Sequence, residues 1–104
     1  MGYAREIEVL TRAWKAEPNR PHFAPLAELL RKDGRFEEAL EVLRVGLPHF
    51  PRHVPGYVVL ARCYRDLNRE AEAEATYQEA LAIEPGHPIV LQELAKLPQR
   101  PGQR

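Results

Sequence analysis

The residues of this chain best equipped for chemistry are four histidines, one cysteine and two groups of glutamates. A zinc site needs its ligands within about 2 Å of one point. Acid–base and nucleophilic catalysis need a base within hydrogen-bond reach of its partner. His22, His49, His53 and His87 are instead spread along the chain. Cys63 is alone, beside Tyr64 in a stretch of helical patterning; it reads as a small buried apolar residue, and neither a disulfide nor a metal site is supported. Glu37-Glu38 and Glu70, Glu72 and Glu74 fall on helices whose outer face is expected to be solvated. There is no Gly-rich phosphate loop, no His-Glu-x-x-His and no nucleophile with a histidine partner. These residues predict no enzyme, no cofactor and no metal.

His53 and His87 point elsewhere, because they occupy the same position of a repeated unit. Residues 20–53 align with residues 54–87 without a gap. The identities include Pro21/Pro55, Leu26/Leu60, Ala27/Ala61, Arg31/Arg65, Arg35/Arg69, Glu38/Glu72, Ala39/Ala73, Leu47/Leu81 and Pro51/Pro85. Phe23/Tyr57, Gly34/Asn68, Leu43/Tyr77 and Gly46/Ala80 are close replacements. A fixed period in this range means stacked units, since one unit cannot bury its own apolar face. The alanines suit close helix–helix approach and the neighbouring leucines fill the grooves. Gly34 and Asn68 suit helix ends that need positive φ, and Pro51 and Pro85 stop the second helix of each unit.

This 34-residue pattern resembles the tetratricopeptide repeat. An aromatic stands at the fourth column (Phe23, Tyr57), Leu-Ala at the seventh and eighth, Ala at the twentieth, a small residue at the twenty-seventh (Gly46, Ala80) and Pro at the thirty-second. The resemblance implies an all-α fold, a right-handed solenoid of α-hairpins with two full repeats (20–53 and 54–87). Half-repeats flank them at 3–19 and 88–97, the whole forming one domain over 1–97. Upstream, Ile7, Leu10, Ala13, Trp14 and Pro18 match Leu40, Leu43, Gly46, Leu47 and Pro51. Downstream, Leu91, Leu94 and Ala95 match the first-helix columns.

Six helices are expected, at about 3–17, 22–33, 36–48, 55–67, 70–82 and 88–97, with residues 98–104 a disordered tail. Pro25 is tolerable only near a helix start, so the second helix should begin irregularly or one turn later than its counterpart. Equivalent columns of successive units should lie about 20 Å apart for helices packed at 8–10 Å, too far for His53 and His87 to share a metal.

Fifteen basic and fifteen acidic residues balance, so no long-range field selects nucleic acid or an anionic membrane. No apolar run reaches the length of a membrane span. Residues 1–10 carry Arg5, Glu6 and Glu8 and do not form a secretory signal, which predicts a cytoplasmic location.

In tetratricopeptide arrays the first helices line a concave groove through the second, fifth, ninth, twelfth and thirteenth columns. The resemblance places Pro21, Ala24, Glu28, Arg31 and Lys32, then Pro55, Val58, Arg62, Arg65 and Asp66, then Ile89, Gln92 and Lys96 in that groove. Columns that hold Lys, Asn and Arg in the family's carboxylate clamp carry Ala24, Glu28, Val59, Ile89 and Glu93 here, so a chaperone-adaptor role is rejected. The expected partner is an extended or helical segment of another protein, with apolar and acidic side chains. The solvated-face alternative pairs the groove arginines with Glu28 or Asp66. Reversing Arg62 and Arg65 to Glu is expected to weaken binding without moving the melting temperature. The competing expectation is self-assembly into a homo-oligomer through terminal helices rich in apolar residues.

Overall fold

The computed structural model describes residues 2–98. The tail expected at 98–104 falls, from residue 99 onward, outside the described residues. The described residues form α-helices and no strand: α1 (Ala4–Ala16), α2 (Phe23–Lys32), α3 (Phe36–Gly46), α4 (Val54–Asp66), α5 (Glu70–Ile83) and α6 (Pro88–Ala95). A short 3₁₀ turn, Leu47–His49, follows α3. Neighbouring helices in the chain pack on one another, and α2 also packs on α4. The result is an elongated stack of 45 × 29 × 20 Å.

The helix ends follow from single residues. Both αα-turns turn on one left-handed residue, Gly34 at φ 78° and Asn68 at φ 61°. Around them Arg35 N–H donates to the Leu30 carbonyl and Gly34 N–H to that of Arg31; Arg69 to Tyr64 and Asn68 to Arg65 repeat the arrangement. This closes the orphan carbonyls at each helix end. Pro25 sits in the first turn of α2, where backbone N–H groups lack intrahelical partners. In repeat register α2 opens three columns later than α4, which begins at Val54. The third helix is shorter than expected: α3 stops at Gly46 because Pro48 has no N–H to continue the ladder. Ala82 stands in that column of α5, which runs on to Ile83.

Packing explains the small residues. Ala27, Ala39, Ala61 and Ala73 have no exposed surface. Gly46 makes room for Phe23: a Cβ on Gly46 would stand 2.2 Å from the Phe23 ring. One apolar cluster joins Ile7, Phe23, Leu26, Leu30, Leu43, Val59 and Cys63, with Trp14 and Leu60 packed at its margin. A second joins Val54, Val58, Ala61, Tyr77, Ala80 and Val90, with Leu94 and Leu97 at its edge. Cys63 is fully buried, and burial pushes its thiol pKa up to about 12.

Candidate functional site

Helices α2 and α4, the first helices of their pairs, and α6, which stands in the same place of the next repeat, form the walls of a cleft of about 320 Å³. Ala24, Pro25 and Glu28 come from α2, Pro55, Val58, Val59 and Arg62 from α4, and Ile89 from α6, with His53 and His87 at the helix starts. The floor is apolar because the fifth and sixth columns of these helices carry Ala24, Val58 and Val59, all buried. Ile89 stands at the rim with 47% of its surface exposed. Four of the five columns that a carboxylate clamp would fill with polar side chains line this cleft, and they hold Ala24, Glu28, Val59 and Ile89.

The charged groups beside the cleft are spent on one another. The Arg31 guanidinium donates to Glu28 at 2.8 and 3.0 Å and to Asp66 at 2.7 Å. Arg62 donates to Glu93 at 3.0 Å and to Glu28 at 3.3 Å. Arg65 donates to Asp66 at 3.2 Å and lies 3.9 Å from Glu93. Three arginines and three carboxylates thus form a closed ring across α2, α4 and α6, and the buried Tyr77 adds its hydroxyl to Glu93 at 2.7 Å. Burial pushes the Glu28 carboxyl up. The Arg31 hydrogen bond and the charges of Arg31, Arg62 and Lys32 outweigh it, and the net pKa lies below the ordinary range. Glu93 behaves alike, burial being outweighed by the bonds from Arg62 and Tyr77 and the charges of Arg62 and Arg65.

Of the groove residues expected from sequence, Ala24, Glu28, Pro55, Val58, Arg62 and Ile89 meet at the cleft. Arg31 and Arg65 belong to the ionic ring beside it. Lys32, Gln92 and Lys96 are exposed and do not line it. Arg31 is held by Glu28 of its own helix and Asp66 of α4, and Arg65 by Asp66 of its own helix with Glu93 of α6 nearby. The residues missed were Pro25, His53 and His87. A signal was there, since His53 and His87 occupy one repeat column directly before α4 and α6.

His53 packs its ring at 5.7 Å from Phe23 and 6.4 Å from Phe50. Burial pushes its pKa down. His87 caps α6, its Nδ1 accepting from the Val90 N–H at 3.4 Å. Among the described residues no group of three or more His, Cys, Asp or Glu could hold a metal ion, and no helix is long and apolar enough to cross a membrane.

The family model described as tetratricopeptide repeat matches residues 30–97. Protein O-mannosyl-transferase TMTC2 of Mus musculus is 35% identical over 65 residues, a match covering 60% of this chain and 8% of that protein.

Proposed function

This chain belongs to the tetratricopeptide repeat family, and from that premise we propose that it is an interaction scaffold which seats a segment of another protein in the cleft between α2, α4 and α6. Repeats of this family generally mediate protein–protein interaction and are typically non-catalytic. The observation that carries the reading is the cleft itself, apolar at Ala24, Val58 and Val59 and open to solvent at Ile89. An apolar side chain of the ligand fills it, and an extended or a helical segment suits the open groove. Glu28 and Arg62 border the cleft as a neutral pair, while Lys32 and Lys96 are exposed cations towards the C-terminal ends of α2 and α6. An acidic residue on the ligand pairs with those lysines, and Gln92 offers an exposed amide on α6. Exposed charge pairs contribute about 0–1 kcal/mol each, whereas micromolar affinity needs about −8 kcal/mol. Apolar contact must therefore supply most of the binding.

The test is selection of peptides from a random library against the folded chain, followed by amide chemical-shift mapping and titration. Selected peptides should shift the amides of Ala24, Val58 and Ile89. Ile89→Asp should weaken their binding by about tenfold or more without moving the melting temperature, because Ile89 is already half in water. Peptides that bind equally well to Ile89→Asp and shift other surfaces would overturn the reading.

A further inference from the structure

We infer that two copies of this chain join head to tail, α6 of one copy seating against α1 of the next so that the two helices complete one more antiparallel pair. The template is the packing inside the molecule. In the α2–α3 pair the facing columns are closed, Phe23, Ala27, Ala39 and Leu43 being wholly buried; in the α4–α5 pair Ala61, Ala73 and Tyr77 are wholly buried and Tyr57, in the column of Phe23, is half-buried.

Helix α6 carries the first-helix columns uncovered. Leu91 stands in the column of Phe23 with 45% of its surface exposed, and Ala95 is exposed in the column of Ala27. Helix α1 carries the complementary second-helix columns, also uncovered. Leu10 and Ala13 are only half-buried where Leu43 and Gly46 are buried, and Val9 beside them is 56% exposed. An open hollow of about 420 Å³, bounded by Arg5, Glu6, Val9 and Leu10 of α1 and by Leu29 of α2, marks where the incoming helix lies. Each exposed face lacks what the other supplies, and in the same register that closes the internal pairs.

One residue sets the strength of the joint. Glu6 occupies the column of Ala39 and Ala73, where two helices come closest, and it is exposed. Docking α6 brings Ala95 towards that carboxylate and strips it of water, which opposes the joint. The association is therefore weak, and it is heterologous, so it adds copies in a row rather than closing a symmetric dimer.

Sedimentation velocity from micromolar to millimolar concentration tests this. The average mass should rise above 11.9 kDa as concentration increases. Leu91→Glu should weaken association by about tenfold or more, and Glu6→Ala should strengthen it several-fold. Both positions are exposed, and circular dichroism checks that the variants keep their helices. The deciding sample mixes Leu91→Glu with Val9→Glu. Each variant alone should stay monomeric at concentrations where the native chain associates, while the mixture retains one intact α6 and one intact α1 and should form a one-to-one dimer and nothing larger.

A strict monomer for both the native chain and Glu6→Ala would overturn the inference. So would heavier species that persist in Leu91→Glu, or a mixture that stays monomeric. Leu91, Val9 and Glu6 lie outside the cleft, so failure here leaves the groove reading standing, and failure of the groove leaves this one.

Discussion

Arg62 on α4 holds the Glu93 carboxylate on α6, its Nε donating to both oxygens at 3.0 and 3.1 Å across 31 residues of chain. The same guanidinium reaches Glu28 on α2. One side chain thus ties the first helices of two successive pairs to α6, and it does so within a ring whose charges cancel. This makes Arg62 a structural residue before it is a ligand contact.

Arg62→Glu should therefore lower the melting temperature, contrary to what the sequence suggests for a groove cation. It would set a third carboxylate beside Glu28 and Glu93, both largely shielded from solvent. The cost expected is about 1–3 kcal/mol, below the 3–5 of a fully buried pair. In a domain of this size that corresponds to about 4–24 °C, at about 4–8 °C per kcal/mol. The charge swap Arg62→Glu with Glu93→Arg should recover part of the loss in a double-mutant cycle. A single variant that melts with the native chain would show that the ring contributes nothing.

Gly46→Ala should destabilise through overpacking. The added methyl would overlap the Phe23 ring, which has no exposed surface and already stacks on Phe50 at 5.8 Å. Such insertions cost about 1–3 kcal/mol. Gly86→Ala is the control, because a Cβ there meets nothing within 4 Å and the backbone is not left-handed. It should leave thermal denaturation unchanged or raise the midpoint slightly.

The fold was readable from sequence because its determinants are local and repeated. Ala27 and Ala61, Gly34 and Asn68, Ala39 and Ala73 each do the same job twice, so chance agreement was excluded by register alone. What escaped was anything decided between units. The column rule placed Arg31 and Arg65 in the groove. The solvated-face alternative paired them with Glu28 or Asp66, but neither reading said that Asp66 would reach Arg31 from α4 or that Glu93 would reach Arg65 from α6. Contacts of this kind depend on where a side chain sits relative to the next helix pair, which a single-unit pattern does not encode. His53 and His87 were dismissed as metal ligands, but their shared column at the starts of α4 and α6 was the clue to the cleft wall.

Stability should fall as pH drops, in two steps. Burial depresses the His53 pKa in the folded state, so the unfolded chain binds that proton more readily. Its contribution is complete above the unfolded value of about 6.5 and is lost as pH falls through the folded value. Glu28 and Glu93 are also depressed, so theirs is present above about 4.3 and disappears on further acidification. Thermal melts between about pH 8 and pH 3 should trace both steps. His53→Leu should abolish the upper step and keep the lower. A melting temperature that holds constant down to the carboxylate range would remove His53 from the account.

Leu26 and Leu60 occupy one repeat column but should not be equally costly to truncate. Leu26 is almost wholly buried, and it shares a wall with Ile7, Thr11 and Trp14 of α1. Leu60 is only half-buried at the margin of the first cluster, so its standing as a full core position, expected from the repeat, is corrected. The second-helix column that holds Trp14 in α1, beside Leu26, holds the smaller Leu47 just after α3, a difference in the direction of the poorer burial of Leu60. Leu26→Ala should cost about 2–5 kcal/mol, within the range of buried leucine truncations, and Leu60→Ala roughly half as much. Urea denaturation of the two variants side by side measures the difference directly, provided the slopes match that of the native chain. Equal midpoints would mean that cover from the preceding second helix does not set the strength of this column. A larger loss at Leu60 would mean that burial does not rank the two positions, since both side chains pack into the first cluster.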